Sequence, residues 1–369
     1  MNQARKGHPD YILSSVVVIL ILLGIVILAS VSAPISQDKF GSPNFYLLRY
    51  LLFGMLPGIF LGFMAYKFSL AIWKKLSAML LMANLFLMAL VFLPGVGIQH
   101  GGAARWINLG FTSLQPSEFL KLTFILYLAN WLPSLKEKHR KNFSKTLAGF
   151  LTIAGLVTLF LALQKDVSTL GIIITSGILI YFMSGTPVKH TLGIIAGGLS
   201  MLAFLIKIEP YRLERIRVFL NPAINPMETG YQIKQALIAI GSGGILGKGL
   251  GMSLQKLGFL PEPMSDSIFA IFSEEAGFIG GLVVIALFLI FAWRGFKVVK
   301  VARDNFYKLA SLGITFWITI QAFINIGATI GILPLTGIPL PFISYGGSAA
   351  VAELIGIGIL LNISKHSQA

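Results

Sequence analysis

Ten runs of mostly apolar residues divide this chain, near 12–33, 46–66, 76–93, 118–133, 146–163, 167–184, 191–208, 267–292, 309–333 and 346–363. A bilayer core is crossed by about 20 such residues in a helix, so this spacing leaves almost no room for a soluble domain. The fourth, fifth and sixth runs are short, and the fourth carries Glu118 and Lys121. Composition agrees: 56% of residues are hydrophobic and 12% charged, with a mean hydropathy of +0.82. Soluble domains carry roughly twice that charge. The expectation is an all-α integral membrane domain over 1–369 with about ten transmembrane helices. No A-x-A cleavage pattern follows the first run, which is therefore read as an anchor.

Cysteine is absent and the five histidines are scattered, which excludes disulfides, thiol chemistry and a His/Cys zinc site. A net charge of +15 would suggest a nucleic-acid partner in a soluble protein. In a membrane protein it points instead to basic cytoplasmic loops. Arg5 and Lys6, Lys67 to Lys75, the run Lys136 to Lys145, Lys189, Arg294 to Lys308, and Lys365 fall on one side if the N-terminus is cytoplasmic. Both termini are therefore placed in the cytoplasm, with no nucleic-acid partner.

One stretch departs from the short-loop pattern. Residues 209–266, between helices 7 and 8, form a large extracellular loop, and connections of that length are usually functional. It holds the basic stretch Tyr211 to Arg217, Asn221-Pro222 turns and an amphipathic piece, Tyr231 to Ile240. A glycine-rich run, Gly241 to Gly251, follows, and the loop closes on Leu260 to Asp266. The glycine-rich run lacks the residues of a phosphate-binding Walker loop and the spacing of a dinucleotide fingerprint. A re-entrant or membrane-surface loop with backbone N–H groups free to meet an anion stays open. No inverted repeat of the transporter kind is visible.

Charges at bilayer depth cost at least about 2.5–3.5 kcal/mol and mark functional positions. Arg49, Glu118, Lys121, Asp166, Asp266, Glu274, Glu275 and Glu353 are such charges, most of them toward the outer half. Each has a purely structural alternative. Glu118 suits the first turn of a helix after Pro116, with Lys121 its partner on the same face. Arg49 and Lys121 can snorkel, Asp266 can cap a helix, and Glu274 and Glu275 can pair with basic side chains. Together they suggest an outward-facing polar cavity.

Several motifs, in order along the whole chain, resemble the SEDS family, the FtsW, RodA and SpoVE group of bacterial cell-wall polymerases. They are Arg105 to Gly110 with Gln115 to Leu122, and Gly230-Tyr231-Gln232 with the glycine-rich run. Gln255-Lys256-Leu257, Leu260-Pro261-Glu262, Asp266 to Ala270, Glu274 to Gly280, and Ile343 to Ser348 complete the set. The resemblance implies peptidoglycan glycosyltransferase activity on lipid II, with Asp266 at the catalytic carboxylate position. It places Arg49, Trp106, Glu118, Lys121 and Asp166 around the cavity, and Ser344 in the last-loop motif is a further binding candidate. Two departures stand out: Gln164-Lys165-Asp166 where the family often reads Glu-Pro-Asp, and Ser267 where Phe is common.

Such chemistry needs a base to take a sugar hydroxyl proton, which suits Asp266. It also needs cations for the departing pyrophosphate, which Arg49, Lys121, and Arg105 or Arg215 supply. Glu118 and Asp166 then orient those cations, and Trp106 packs on sugar or lipid. Direct displacement inverts the donor and gives a β-1,4 linkage. A divalent cation, Mg2+ or Mn2+, is a candidate cofactor, although no protein metal cluster is read. The resemblance implies a class B penicillin-binding protein and divisome proteins as partners, the bacterial cytoplasmic membrane as location, and the division branch over the elongation branch. A lipid II flippase and a recruiting scaffold are the competing classes.

Overall fold

Asp10 starts the first helix, its carboxylate accepting from Leu13 N at 3.0 Å, and Gly41, in the left-handed region at φ 66°, ends it. The computed structural model describes residues 7–100, 103–135, 146–208, 210–221 and 229–367. Arg5, Lys6, the basic run 136–145 and the turn after Asn221 lie outside these. The described chain is mostly helical. In order, α1 is Tyr11–Phe40, α2 Phe45–Lys67 and α3 Leu70–Leu90. Then come α4 (Pro116–Ser134), α5 (Ala148–Leu163), α6 (Val167–Met183) and α7 (Val188–Ile208). The last are α8 (Pro210–Leu220), α9 (Thr229–Ser242), α10 (Ile268–Val301), α11 (Asn305–Thr329) and α12 (Gly347–Ser367).

Each apolar run falls on a helix, with α1 and α10 extending seven and nine residues past the ends of theirs. Among the described residues seven helices are long and apolar enough to cross a membrane: α1, α2, α3, α7, α10, α11 and α12. Helices α5 and α6 are shorter apolar ones. Most of the side chains of helix α4 are buried, which explains why a charged pair survives in it. The N-terminal Asp10, Arg294 of α10 and Ser364 of α12 meet at one end, where Arg294 Nη2 pairs with Asp10 at 2.6 Å and Asp10 N donates to Ser364 at 3.0 Å. The same end carries the Lys74–Asp304 pair at 3.8 Å.

Helices α2 and α12 pack closely because α2 shows glycine at every fourth position. A Cβ on Gly58 would lie 2.7 Å from Leu354 Cδ1, and one on Gly62 would lie 2.6 Å from the Leu354 carbonyl oxygen. Small residues at this spacing let backbones approach where no hydrophobic force drives helices together. Within α2 the helix widens to a π-type turn over Leu51–Met55 just ahead of Pro57, which absorbs the hydrogen bond proline cannot make.

Two features depart from the sequence reading. A small antiparallel sheet, β1 (Gly97–His100), β2 (Ala103–Asn108) and β3 (Ser113–Leu114), occupies the connection between α3 and α4. The glycine-rich run, in turn, has no free row of N–H groups. Helix α10 breaks at Gly277 (φ 68°, ψ −169°), and the run docks into the break by strand-like exchange. Lys248 N and Gly249 N donate to the carbonyls of Glu274 and Glu275, both at 3.0 Å. Phe278 N donates back to Gly244 O at 2.9 Å and Ile279 N to Ile245 O at 3.2 Å. The carboxylates complete the lock: Glu274 pairs with Lys248 Nζ and Glu275 with Lys256 Nζ, each at 2.7 Å, and Ser30 Oγ of α1 donates to Glu275 at 2.8 Å.

A Cβ on Gly277 would collide with Gly247 N and would force a side chain to a positive φ. Gly277→Ala is therefore expected to destabilise the protein by about 1–3 kcal/mol, read as a lower thermal midpoint in detergent. An unchanged midpoint would show that the break is not fixed by glycine.

Candidate active site

The segment Leu260 to Ser267 is built to hold its backbone still before α10 begins. Glu262, at φ 48°, turns the chain so that its carbonyl accepts from Ser265 N and Ser267 N, both at 3.3 Å. Ser267 Oγ donates to Pro261 O at 3.0 Å, and Gln232 of α9 donates to Ser267 Oγ at 3.3 Å. Ser267 thus ties the segment to α9, where a phenylalanine would offer no hydrogen bond. Three successive carbonyls are then fixed from outside the segment. Tyr345 N donates to Met264 O at 2.8 Å, Ser344 Oγ to Ser265 O at 2.6 Å, and Asn325 Nδ2 to Asp266 O at 3.0 Å.

With its backbone held in this way, Asp266 presents a carboxylate that is half-buried. Its Oδ2 lies against the backbone of Gly337, where a Cβ would come within 3.4 Å. Burial pushes its pKa up to about 6, and the negative charge of Glu262 adds to the rise. Arg215, the Ser265 hydroxyl and Arg105 pull the other way. A carboxylate with a raised pKa that feels the positive charge of two guanidinium groups suits proton transfer next to developing negative charge.

Arg215 reaches in from α8, with Nη1 donating to Leu335 O at 3.2 Å. Arg105 comes from β2 and pins the tight turn between α5 and α6, donating to Gln164 O at 3.1 Å and Lys165 O at 2.7 Å. In that turn Asp166 caps α6 by accepting from Thr169 N at 3.2 Å, and Ser168 Oγ donates to Thr336 O at 2.6 Å. The β1–β2 pairing slips by one residue at Arg105, between Ile98↔Trp106 and Gln99↔Ala104, an irregularity that re-aims side chains out of the regular alternation. Trp106 is half-buried opposite Ile98.

Arg49 stands in a cleft of about 450 Å³ lined by Phe45, Leu48, Leu52, Phe53 and Phe111. Its charge also acts on the phenol of Tyr345, whose ring packs on Tyr46 and Tyr50 at 5.7 and 5.9 Å. Tyr345 thus feels the Arg49 charge through its phenol and holds Met264 O through its N–H.

Glu118 and Lys121 lie deeper. Lys121 is 1% exposed, pairs with Glu118 at 2.8 Å, donates to Gln321 Oε1 at 2.8 Å and sits 5.3 Å above the Trp317 ring. Burial and these partners engage the Lys121 ammonium within the bundle. Gln321 carries the network onward, donating to Pro339 O at 3.0 Å and Glu353 Oε1 at 3.4 Å. Glu353 accepts from Phe342 N at 2.9 Å. Ser344 is similarly occupied, accepting from Leu340 N at 2.8 Å while it holds Ser265. Its place is structural support rather than open cavity wall.

The common element is the connection 331–346, which dips into the helix bundle. Gly24 of α1 makes room for it, since a Cβ there would lie 2.8 Å from Ile343 Cα. Gly24 is six residues from Ser30, about 9 Å along the helix. Irregular backbone at that depth persists only when its polar groups are satisfied by protein, and Gln321, Asn325 and Glu353 do this. Sequence reasoning missed Gln321, Asn325 and Ser168. The available signal was a pair of amides four residues apart in an apolar span. Among the described residues no group of three or more His, Cys, Asp or Glu converges.

Comparison with known proteins adds a family. The FtsW/RodA/SpoVE profile, described as "Cell cycle protein", matches residues 11–369. Stage V sporulation protein E of Bacillus subtilis is 38% identical over 99% of both chains. A probable peptidoglycan glycosyltransferase FtsW of Nitrosomonas europaea is 39% identical over 100% of this chain and 95% of its own. Among solved structures, a chain of a peptidoglycan synthase complex that coordinates polymerization and crosslinking superposes with a TM-score of 0.78 at 26% identity, covering 97% of this chain and 98% of its own. Rod shape determining protein RodA of Thermus thermophilus gives 0.71 at 25% identity over 98% of both chains. With a family match over nearly its whole length and helices fit to cross a bilayer, the chain is a multi-pass membrane protein of the FtsW/RodA/SpoVE family.

Proposed function

We propose that this protein is an inverting peptidoglycan glycosyltransferase that polymerises lipid II into β-1,4-linked glycan with release of polyprenyl pyrophosphate. The carrying observation is Asp266, a carboxylate on a segment gripped at three successive backbone carbonyls, on which the charges of Arg215 and Arg105 act. The acceptor sugar hydroxyl attacks the anomeric carbon of the donor while Asp266 takes its proton. The bond from that carbon to the pyrophosphate oxygen breaks, and the guanidinium groups meet the charge that moves onto the pyrophosphate. Attack from the face opposite the leaving group inverts the anomeric centre. A divalent cation, where one takes part, would draw most of its ligands from pyrophosphate and water.

In this reading the protein works in septal synthesis, in the bacterial cytoplasmic membrane with the site facing outward, and its likeness to FtsW proteins supports the division branch. A class B penicillin-binding protein would then crosslink the strands beside it, with divisome proteins around the pair.

Asp266 acts only when deprotonated, and its pKa is raised, so turnover is expected to fall as pH drops through about 6. The log of kcat should decline with unit slope below that midpoint. A fluorescent lipid II polymerisation assay across pH reads this directly, and a flat profile down to the ordinary aspartate range would remove Asp266 from the base role.

A further inference from the structure

Asn325 and Gln321 are uncharged, sit on one face of α11 and touch no group that reacts. We propose that Asn325, backed by Gln321, is the positioning residue that seats Asp266 against the 331–346 connection and so sets the geometry of the base. The inference rests on the reading of Asp266 as the base.

The geometry is specific to an amide. A side-chain amide nitrogen has two hydrogens, and Asn325 Nδ2 delivers one to Asp266 O at 3.0 Å and the other to Ile338 O at 2.7 Å. Two carbonyls from different parts of the chain would repel each other without a donor between them. Holding both closes Gly337, the residue before Ile338, onto the Asp266 carboxylate. One turn along, Gln321 uses its full hydrogen-bonding capacity. Its oxygen accepts from Lys121 Nζ and Trp317 Nε1, both at 2.8 Å, and its nitrogen donates to Pro339 O and Glu353. Residues 338 and 339 are thus held by adjacent turns of α11, and the second hold leads back to the buried Glu118–Lys121 pair. The groups facing Asp266 are Glu262 and Ser265 on its own segment, Arg215 from α8, Arg105 from β2, Asn325 and Thr329 from α11, and Gly337. Asn325 carries no charge, so its loss acts only by letting the carboxylate move and take up water.

The test measures kcat and KM for lipid II, and the pH profile of kcat, for the purified full-length protein with Asn325→Ala. Displacement of a reacting group by about 1 Å costs on the order of 10²-fold in rate. The expected result is a kcat about 100-fold lower, a KM close to that of the unaltered protein, and an acid limb moved from about 6 toward the ordinary aspartate value. Normal kcat overturns the proposal, and so does a reduced kcat with an unmoved acid limb, since that is loss of packing alone. If Asn325→Ala does not fold, Thr329→Val takes its place, removing the 3.5 Å bond to Asp266 O together with the 2.8 Å bond to Asn325 O within α11. It must move kcat and the acid limb in the same direction by less, and no movement overturns the proposal. Asp266→Asn run alongside separates the two readings. If it is inactive and the Asn325 variant behaves normally, only the positioning role falls; if it polymerises lipid II, the base assignment falls first.

Discussion

Asp266→Asn stops glycan polymerisation while the protein folds as before, with a rate loss of about 10²–10⁴-fold, the usual contribution of a general base. The prediction separates chemistry from structure because the segment around Asp266 is held through backbone carbonyls. Tyr345, Ser344 and Asn325 grip the oxygens of residues 264, 265 and 266, and none of these bonds needs the carboxylate. Stability is expected to move the opposite way from activity. A folded-state pKa raised to about 6 means the folded protein holds that proton more tightly than the unfolded chain, so the charged carboxylate lowers stability as pH rises through that window. The amide carries no such charge. Thermal unfolding of the two proteins at pH 8 should give a midpoint for the variant no lower than the parent's. An active variant, or an inactive one that is also unfolded, would defeat the assignment.

The second large effect lies deeper. Lys121→Met removes the cation that Glu118 pairs with at 2.8 Å and that reaches Gln321, leaving a buried carboxylate without its counter-charge. Breaking one side of a buried ion pair costs about 3–5 kcal/mol, whereas replacing the whole pair by apolar or neutral groups is often close to neutral. The single variant should therefore lose much of its folded yield and thermal stability. The double variant Glu118→Gln with Lys121→Met should recover most of the stability. Comparable loss in single and double variants would mean that Lys121 matters through Gln321 and Trp317 rather than through Glu118.

The helices were legible because hydropathy needs only the run of apolar residues, and each run falls on a helix. The fourth run shows why charge was no obstacle: Glu118 and Lys121 satisfy each other, and α4 is enclosed by its neighbours rather than by lipid. The sheet at 97–114 was not legible, because its strands are two to six residues long and alternate too briefly to register. Residues 209–266 read as one loop, yet α8 forms around the basic stretch Tyr211 to Arg217 and α9 around the amphipathic piece Tyr231 to Ile240. The glycine-rich run stayed open in the sequence because its glycines serve close approach to the broken α10, a partner that no local pattern names. At the site, the charged residues could be found by type alone. The supports could not, since Gln321 and Asn325 act on backbone carbonyls of 338 and 339, and no side-chain pattern announces which carbonyl a distant amide will hold. Lys121 and Ser344 illustrate the converse: residues found by pattern whose polar atoms the folded chain uses internally.

Central to all of this is polymer synthesis at Asp266, and lipid II supplied to the purified protein in proteoliposomes tests it most directly. With and without a class B penicillin-binding protein, and with lipid scrambling followed in the same vesicles, the account predicts glycan strands from the parent protein and none from Asp266→Asn. Lipid II crossing the bilayer with no glycan formed would contradict it and make the protein a transporter.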